Sequence, residues 1–503
     1  MSASQPQSAS HSQPRWLSTL FDKLSDSAEN LAAFRIVVGV LLLGCADLWQ
    51  AVAVARLPPS LRTSSTWLGT LLLQLPISDS VVSALAYLTC VLGFLIAIGL
   101  WTRLALILGT LCTLYVLGVA QLGGAVWHCH HVLWFCALLC ASPCADVWSV
   151  GALLRSRKNQ TQYNRDRLCY GLPIRIGWLL LAAIFGFPGL WKLRGSGLAW
   201  IVSDNLRNQL HWKWVQSGGY LPWLRVDRFP LLCKLLAASV VGFELGFPLL
   251  LFHKRLRLLL IGLALLFHLG TWLLMQISFS ILWPCYAILV DWKQLWARLQ
   301  KWRKVRSTQT EQQAAHGQES DPVKYVFYLL HIRNSPTAVM GLLLIFGVFV
   351  SGFIGWTQSY PFACYPTFQH LATDSMPALL VSVESLSSQG KDSQAQGKDS
   401  QAQEIELPRP WTIPSEHSAR SVALMWSVLR QGNSQALTAY GSHLRSIPQV
   451  AAVMRRVCPG RLHFDRVLLP IRPEAWQIAP QQRTRLGTLP LTCPPSCPPS
   501  CPP

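Results

Sequence analysis

The chain has 503 residues, 51% of them hydrophobic and 13% charged, with a formal net charge of +20 and a mean hydropathy of +0.31. One soluble core of this length cannot hide so much apolar surface. The basic excess has no nucleic-acid motif beside it, and Lys and Arg accumulate in the cytoplasmic loops of membrane proteins. The expected partner is therefore the lipid bilayer, with no nucleic acid. Most of the fifteen cysteines lie within apolar runs, where they act as small hydrophobes, and no CxxC pair occurs.

Several apolar runs reach the roughly 20 residues that cross a bilayer. They are continuous rather than alternating, so helices rather than a barrel satisfy the backbone in lipid. The expected fold is an all-α polytopic transmembrane bundle of about nine spans. A small extracytoplasmic C-terminal domain, α+β or partly disordered, is expected to follow.

In chain order, residues 1–30 are a polar cytoplasmic N-terminus, and residues 31–300 form the main transmembrane domain. Its spans are expected at 31–55, 80–100, 103–122, 125–141, 172–191, 231–252, 256–275 and 276–290, with an interfacial excursion at 56–79. Residues 301–335 read as a basic cytoplasmic linker, entered by the bilayer-surface helix W-A-R-L-Q-K-W-R-K-V-R, and 336–358 as the last span. Residues 359–490 form the C-terminal domain, with a flexible low-complexity insertion at 387–403, and 491–503 form a Cys/Pro-rich tail. Cys364 and Cys458 are a candidate disulfide pair if their side of the membrane is oxidising. The basic loops around Arg155, Lys254 and 291–333 all fall on one face of a nine-span layout, which places the N-terminus inside and the C-terminus outside. A bacterial inner membrane is the expected location.

Ionisable groups against hydrocarbon-length segments are costly and mark sites worth weighing. His128, His130 and His131 begin the short span 125–141, Lys192 ends the span 172–191, and His268 lies in L-L-F-H-L-G-T-W. Each has two readings. Lys192 either snorkels to the headgroups beside an interfacial Trp191 or is a desolvated base. The histidines either cap helices and bond between them or hold a developing anion. No carboxylate accompanies the histidine cluster, so no metal is expected. Glu244 is too deep to ionise alone, and is either protonated or paired with a neighbouring span.

The order of the histidine cluster, A-S-P-C-A-D-V-W-S-V-G-A-L-L, G-L-W-K-L, F-E-L-G-F-P-L-L-L-F and L-L-F-H-L-G-T-W-L-L-M-Q-I-S-F-S resembles the HTTM membrane domain over about residues 28–300. Vitamin K-dependent gamma-carboxylases share that domain. The resemblance implies that Lys192 is the catalytic base toward reduced vitamin K or another quinol. It implies that His130 or His128 is the catalytic histidine holding the oxyanion, with His131, His268 and Trp191 around the cofactor. Its co-substrates would be O2 and CO2, and its partner a protein or peptide substrate on the extracytoplasmic side. The chain departs from those carboxylases in Arg194–Gly197, where they carry acidic residues, and in its shorter tail. The rival expectation is a non-enzymatic scaffold or anchor that presents the C-terminal domain.

Overall fold

The computed structural model describes residues 24–62, 71–72, 74–123, 129–157, 167–217, 219–251, 253, 255–304, 335–356, 359–363, 368, 370–385, 404–407, 418–475 and 481–491. His128, the low-complexity insertion, most of the basic linker, the Cys/Pro tail and Cys364 lie outside the described residues.

Seven helices among the described residues are long and apolar enough to cross a membrane. The first is broken at Cys45 into α1 (Ala28–Gly44) and α2 (Ala46–Ala55). Ser27 caps α1 by accepting from the Asn30 amide. The helix α3 (Asp79–Ile98) is capped by Ser78 and stopped by Gly99 in the left-handed region. After α4 (Thr102–Ala120) come the short α5 (His130–Cys140) and α6 (Val150–Arg157), then the 30-residue α7 (Arg167–Ser196). A lobe built on α8 (Asn205–Gln216) separates α7 from α9 (Pro230–Gly246) and α10 (Leu256–Met275). The bundle closes with α11 (Trp292–Lys304) and α12 (Pro336–Ile354).

Two expected spans take another form. At about 1.5 Å per residue, the eleven residues of α5 reach only about half of a hydrocarbon core. Residues 276–290 are not an α-helix. Gln276 ends α10 in the left-handed region, Pro284 removes a donor, and the chain resumes only as a 3-10 turn at Trp283–Leu289. Here backbone chemistry overrides an apolar sequence.

Side-chain contacts gather the bundle into two ends. At one end the buried Arg35 guanidinium donates to the carbonyls of Ala97 (3.4 Å), Cys144 (3.2 Å) and Trp148 (2.5 Å). Beside it Arg175 pairs with Asp26 at 3.0 Å, Asn30 reaches Asp291, and Thr337 donates to the Ala141 carbonyl. At the other end Tyr360 donates to the Leu114 carbonyl (2.7 Å), Trp191 to Gly352 (2.7 Å) and Trp214 to Leu274 (2.6 Å).

On this second end sits a four-stranded antiparallel sheet of order β2-β1-β3-β4. Its strands are β1 (Ser375–Ser385), β2 (Glu404–Glu406), β3 (Gly460–Pro470) and β4 (Gln481–Leu491). The helices α13 (Ser418–Gln431), α14 (Ser434–Arg445) and α15 (Pro448–Val457) pack against it through Met425, Leu437, Tyr440 and Val450. Leu57, Leu61 and Val215 from the membrane bundle join the same core, so the sheet region is docked rather than tethered. Cys458 is disulfide-bonded, with its partner outside the described residues.

The α1–α3 contact is set by glycine. A Cβ on Gly39 would lie 2.6 Å from the Ala97 nitrogen and the Gly93 carbonyl oxygen, both backbone atoms that cannot yield by a side-chain rotation. Gly39→Val should therefore lower stability by about 1–3 kcal/mol, the range for overpacked cores. The check is the thermal unfolding midpoint of the detergent-purified protein, with Gly44→Ala, which meets nothing within 4 Å, as the neutral comparison.

Candidate functional site

The helix α7 carries Lys192 near its end and Pro188 one turn earlier. Pro188 has no N–H to give the Ile184 carbonyl, so the helical ladder is interrupted where both residues face a cavity. Gly189 brings α9 close: a Cβ there would lie 2.9 Å from the Glu244 Cβ. That approach lets the Lys192 Nζ meet Glu244 Oε1 at 2.5 Å, with both side chains almost wholly buried. The Lys192 ammonium also stands 5.2 Å from the centre of the Trp200 ring. Snorkelling is thereby ruled out as the reading of Lys192, because its amine turns inward to a carboxylate.

The cavity, of about 90 Å³, is lined by Lys192, Glu244, His268, Gln209 and otherwise mainly apolar side chains, among them Phe185, Phe267, Phe279 and Phe368. His268 is fully buried and its Nε2 lies 2.6 Å from the Tyr286 hydroxyl. Two polar atoms of the lining residues have no hydrogen-bond partner among the described residues: Glu244 Oε2 and His268 Nδ1. A mainly apolar cavity with one acceptor and one ring nitrogen left over suits an apolar ligand bearing a small polar head.

The remaining sequence candidates lie elsewhere. His130 stands edge-on to Tyr360 at 5.0 Å and to Trp134 at 6.5 Å, and is not among the described residues lining the cavity. His131 approaches the Ile281 carbonyl at 3.4 Å, one residue from the lining Leu282. Trp191 points away from the cavity. It donates to Gly352, stacks under Arg194, and fills the space where a Cβ on Gly355 would sit. The imidazole that shares the cavity with Lys192 is therefore His268.

Sequence reading passed over Trp200, Gln209, Tyr286 and Phe368, and also a buried network in the α8 lobe. There His211 Nε2 lies 3.2 Å from Asp227 Oδ2, and Arg225 clamps the same carboxylate through two contacts of 2.8 Å. Arg225 also reaches Glu474 of the C-terminal region at 3.8 Å. The available signal was a lone acid in the basic run R-V-D-R.

A bundle of lipid-length helices with a buried ion pair lining an apolar cavity defines a polytopic integral membrane protein. The HTTM domain matches residues 24–292, more than half of the chain, and the protein belongs to that family. The family is a membrane-domain family of vitamin K-dependent carboxylase-like proteins. No curated protein and no solved structure matches the chain.

Burial holds the His211 imidazole below its ordinary value, outweighing the pull of Asp227. As pH falls through about 6.5, the unfolded chain therefore takes up this proton before the folded one, and stability drops. His211→Gln should flatten that part of the profile. The measurement is the thermal midpoint from about pH 7.5 to about pH 5, and an unchanged slope would count against the assignment.

Proposed function

We propose that this protein binds a lipid-soluble reduced quinone, such as reduced vitamin K, in the Lys192 cavity and uses the Lys192–Glu244 pair as its base. The observation that carries this reading is the buried pair with Glu244 Oε2 left unpartnered among the described residues, in a cavity of mainly apolar walls. A pair that shares one proton between an amine and a carboxyl can accept another from a ligand hydroxyl without creating an isolated charge in hydrocarbon. His268 holds the deprotonated oxygen through Nδ1. If the Tyr286 hydroxyl donates to Nε2, the ring proton resides on Nδ1, the atom left over for a ligand. Phe185, Phe267 and Phe279 orient the apolar part of the ligand and exclude water. When bound, a quinol oxidised by O2 supplies a strong base, which in carboxylases of this family leads to CO2 addition at a glutamate γ-carbon. Carboxylation of a protein or peptide is the finer form of the proposal.

The same reading takes the chain as passing nine times between the two ends of the bundle, with the N-terminus inside and the C-terminal region outside. Support comes from the contacts: Arg35, Arg175, Arg257 and Asp291 gather at one end, and Tyr360 and Trp356 belong to the other. The segments α5 and 276–290 then complete passes too short or too irregular to count as spanning helices. A bacterial inner membrane is the proposed location. Scaffolding is the competing proposal, favoured by the docking of the sheet region on Leu57, Leu61 and Val215.

Lys192→Met should reduce oxygen consumption or epoxide formation with a reduced quinone by at least about 100-fold, the scale of general acid–base catalysis. Since that change strands Glu244, the double variant Lys192→Met with Glu244→Gln serves as the folding control and should be equally inactive. Turnover retained in either variant would remove the base role and leave scaffolding. A reporter fused after Trp356 should be found outside, and one fused after Lys158 inside.

A further inference from the structure

The cavity is not closed by the matched family domain alone. Phe368 lines it, yet it lies 76 residues beyond the end of that match at residue 292. The described residues nearest it, 359–363 and 370–374, carry no regular secondary structure, and Phe368 itself adopts φ 61, a conformation that a bulky residue holds only when its surroundings impose it.

The surroundings do impose it. Trp200 Nε1 donates to the Phe368 carbonyl at 2.7 Å, and Gln209 Nε2 to the His370 carbonyl at 3.1 Å. Asn208 Nδ2 donates to the Ala372 carbonyl at 2.8 Å, while Asn205 Oδ1 accepts from the Ala372 amide at 2.8 Å. Trp212 Nε1 donates to the Thr373 carbonyl at 2.9 Å. Five side chains of one lobe thus grip the backbone of one irregular strap. Backbone groups that would otherwise be left unpaired are satisfied there by side chains chosen for the purpose.

The strap is continuous with the reacting groups. The Trp200 ring lies between them: the Lys192 ammonium is 5.2 Å from its centre, and its indole N–H holds Phe368. The Phe368 ring is also packed against the buried clusters around Trp200 and Trp214. We propose that Phe368 is a specificity-determining residue of the Lys192 cavity, a wall supplied by the C-terminal segment that bars water and water-soluble molecules from the Lys192–Glu244 pair. Ligands are thereby restricted to those that arrive through the apolar side of the bundle. Only the identity of those ligands rests on the quinol reading; the wall itself stands on the contacts.

The test is the rate at which a small, water-soluble amine-modifying reagent (acetic anhydride in buffer) labels Lys192 in the full-length protein, read by mass spectrometry of the Lys192 peptide. In the wild type Lys192 should be protected relative to exposed lysines such as Lys293. Phe368→Ala should raise its labelling at least tenfold, and Phe368→Leu should restore most of the protection. The double variant Asn205→Ala with Asn208→Ala, which leaves the ring but frees the strap, should also raise it. Alkylation of the buried Cys285 is followed in the same samples as a gauge of unfolding. Wild-type labelling in both strap variants overturns the proposal, as does a rise that Cys285 shares in both. Because no turnover is measured, an inactive protein with a water-tight strap would refute the quinol reading while leaving this one standing.

Discussion

One buried ion pair, Lys192 with Glu244, constrains the structure around it. A charge left unpaired against hydrocarbon is costly, and two of them would burden the insertion of α7 and α9 separately. Meeting at 2.5 Å, they offset most of that cost, provided their helices can come close enough. Gly189 grants the approach, since any side chain there would collide with Glu244 itself. The Trp200 face covers the amine and Phe185 and Phe267 dry the carboxylate's surroundings, so solvent screens the pair very little.

Ion pairing also marks the basic segment that follows α7. Between Lys192 and Pro230 the chain is rich in Lys and Arg, but several of these charges are consumed internally. Lys192 is neutralised by Glu244, Arg207 lies 4.0 Å from Asp204, and Arg225 is clamped on Asp227 and near Glu474. Burial works to raise the Asp227 carboxyl, yet hydrogen bonds from Arg225 and His211 hold it below its ordinary value.

Much of the architecture could be read from the chain, for identifiable reasons. Long continuous apolar runs with Ser caps and Gly stops, as in α3, announce themselves because each end must satisfy its own backbone. Glu244 was legible as a residue needing a partner, since depth alone makes an unpaired carboxylate untenable. What hydropathy could not convey was continuity: residues 276–290 are apolar enough for a helix but hold Pro284 and end α10 at a left-handed Gln276. Nor could it distinguish which imidazole reaches the cavity. His130 and His268 both sit in apolar helices, and only the packing of Tyr360 against one and Tyr286 against the other separates them. Phe368 gave no signal at all, because a strap recognised through its backbone leaves no side-chain pattern in the sequence.

A ligand cavity inside a membrane bundle needs both apolar walls around its ionisable groups and a boundary that closes it. Here the two demands fall on different parts of the chain. The helices α7, α9 and α10 furnish the apolar walls and the ionisable groups, whereas the α8 lobe and the segment after α12 furnish the closure. That closure is held by hydrogen bonds between side chains and backbone, each worth only about 1 kcal/mol net, together with the packing of the Phe368 ring. A barrier of that kind is strong in sum and weak at each point, so its stability can be altered without unfolding the bundle. The sheet region is tied to it through the chain: β1 begins two residues after Thr373, so the strap and the first strand share one run of backbone.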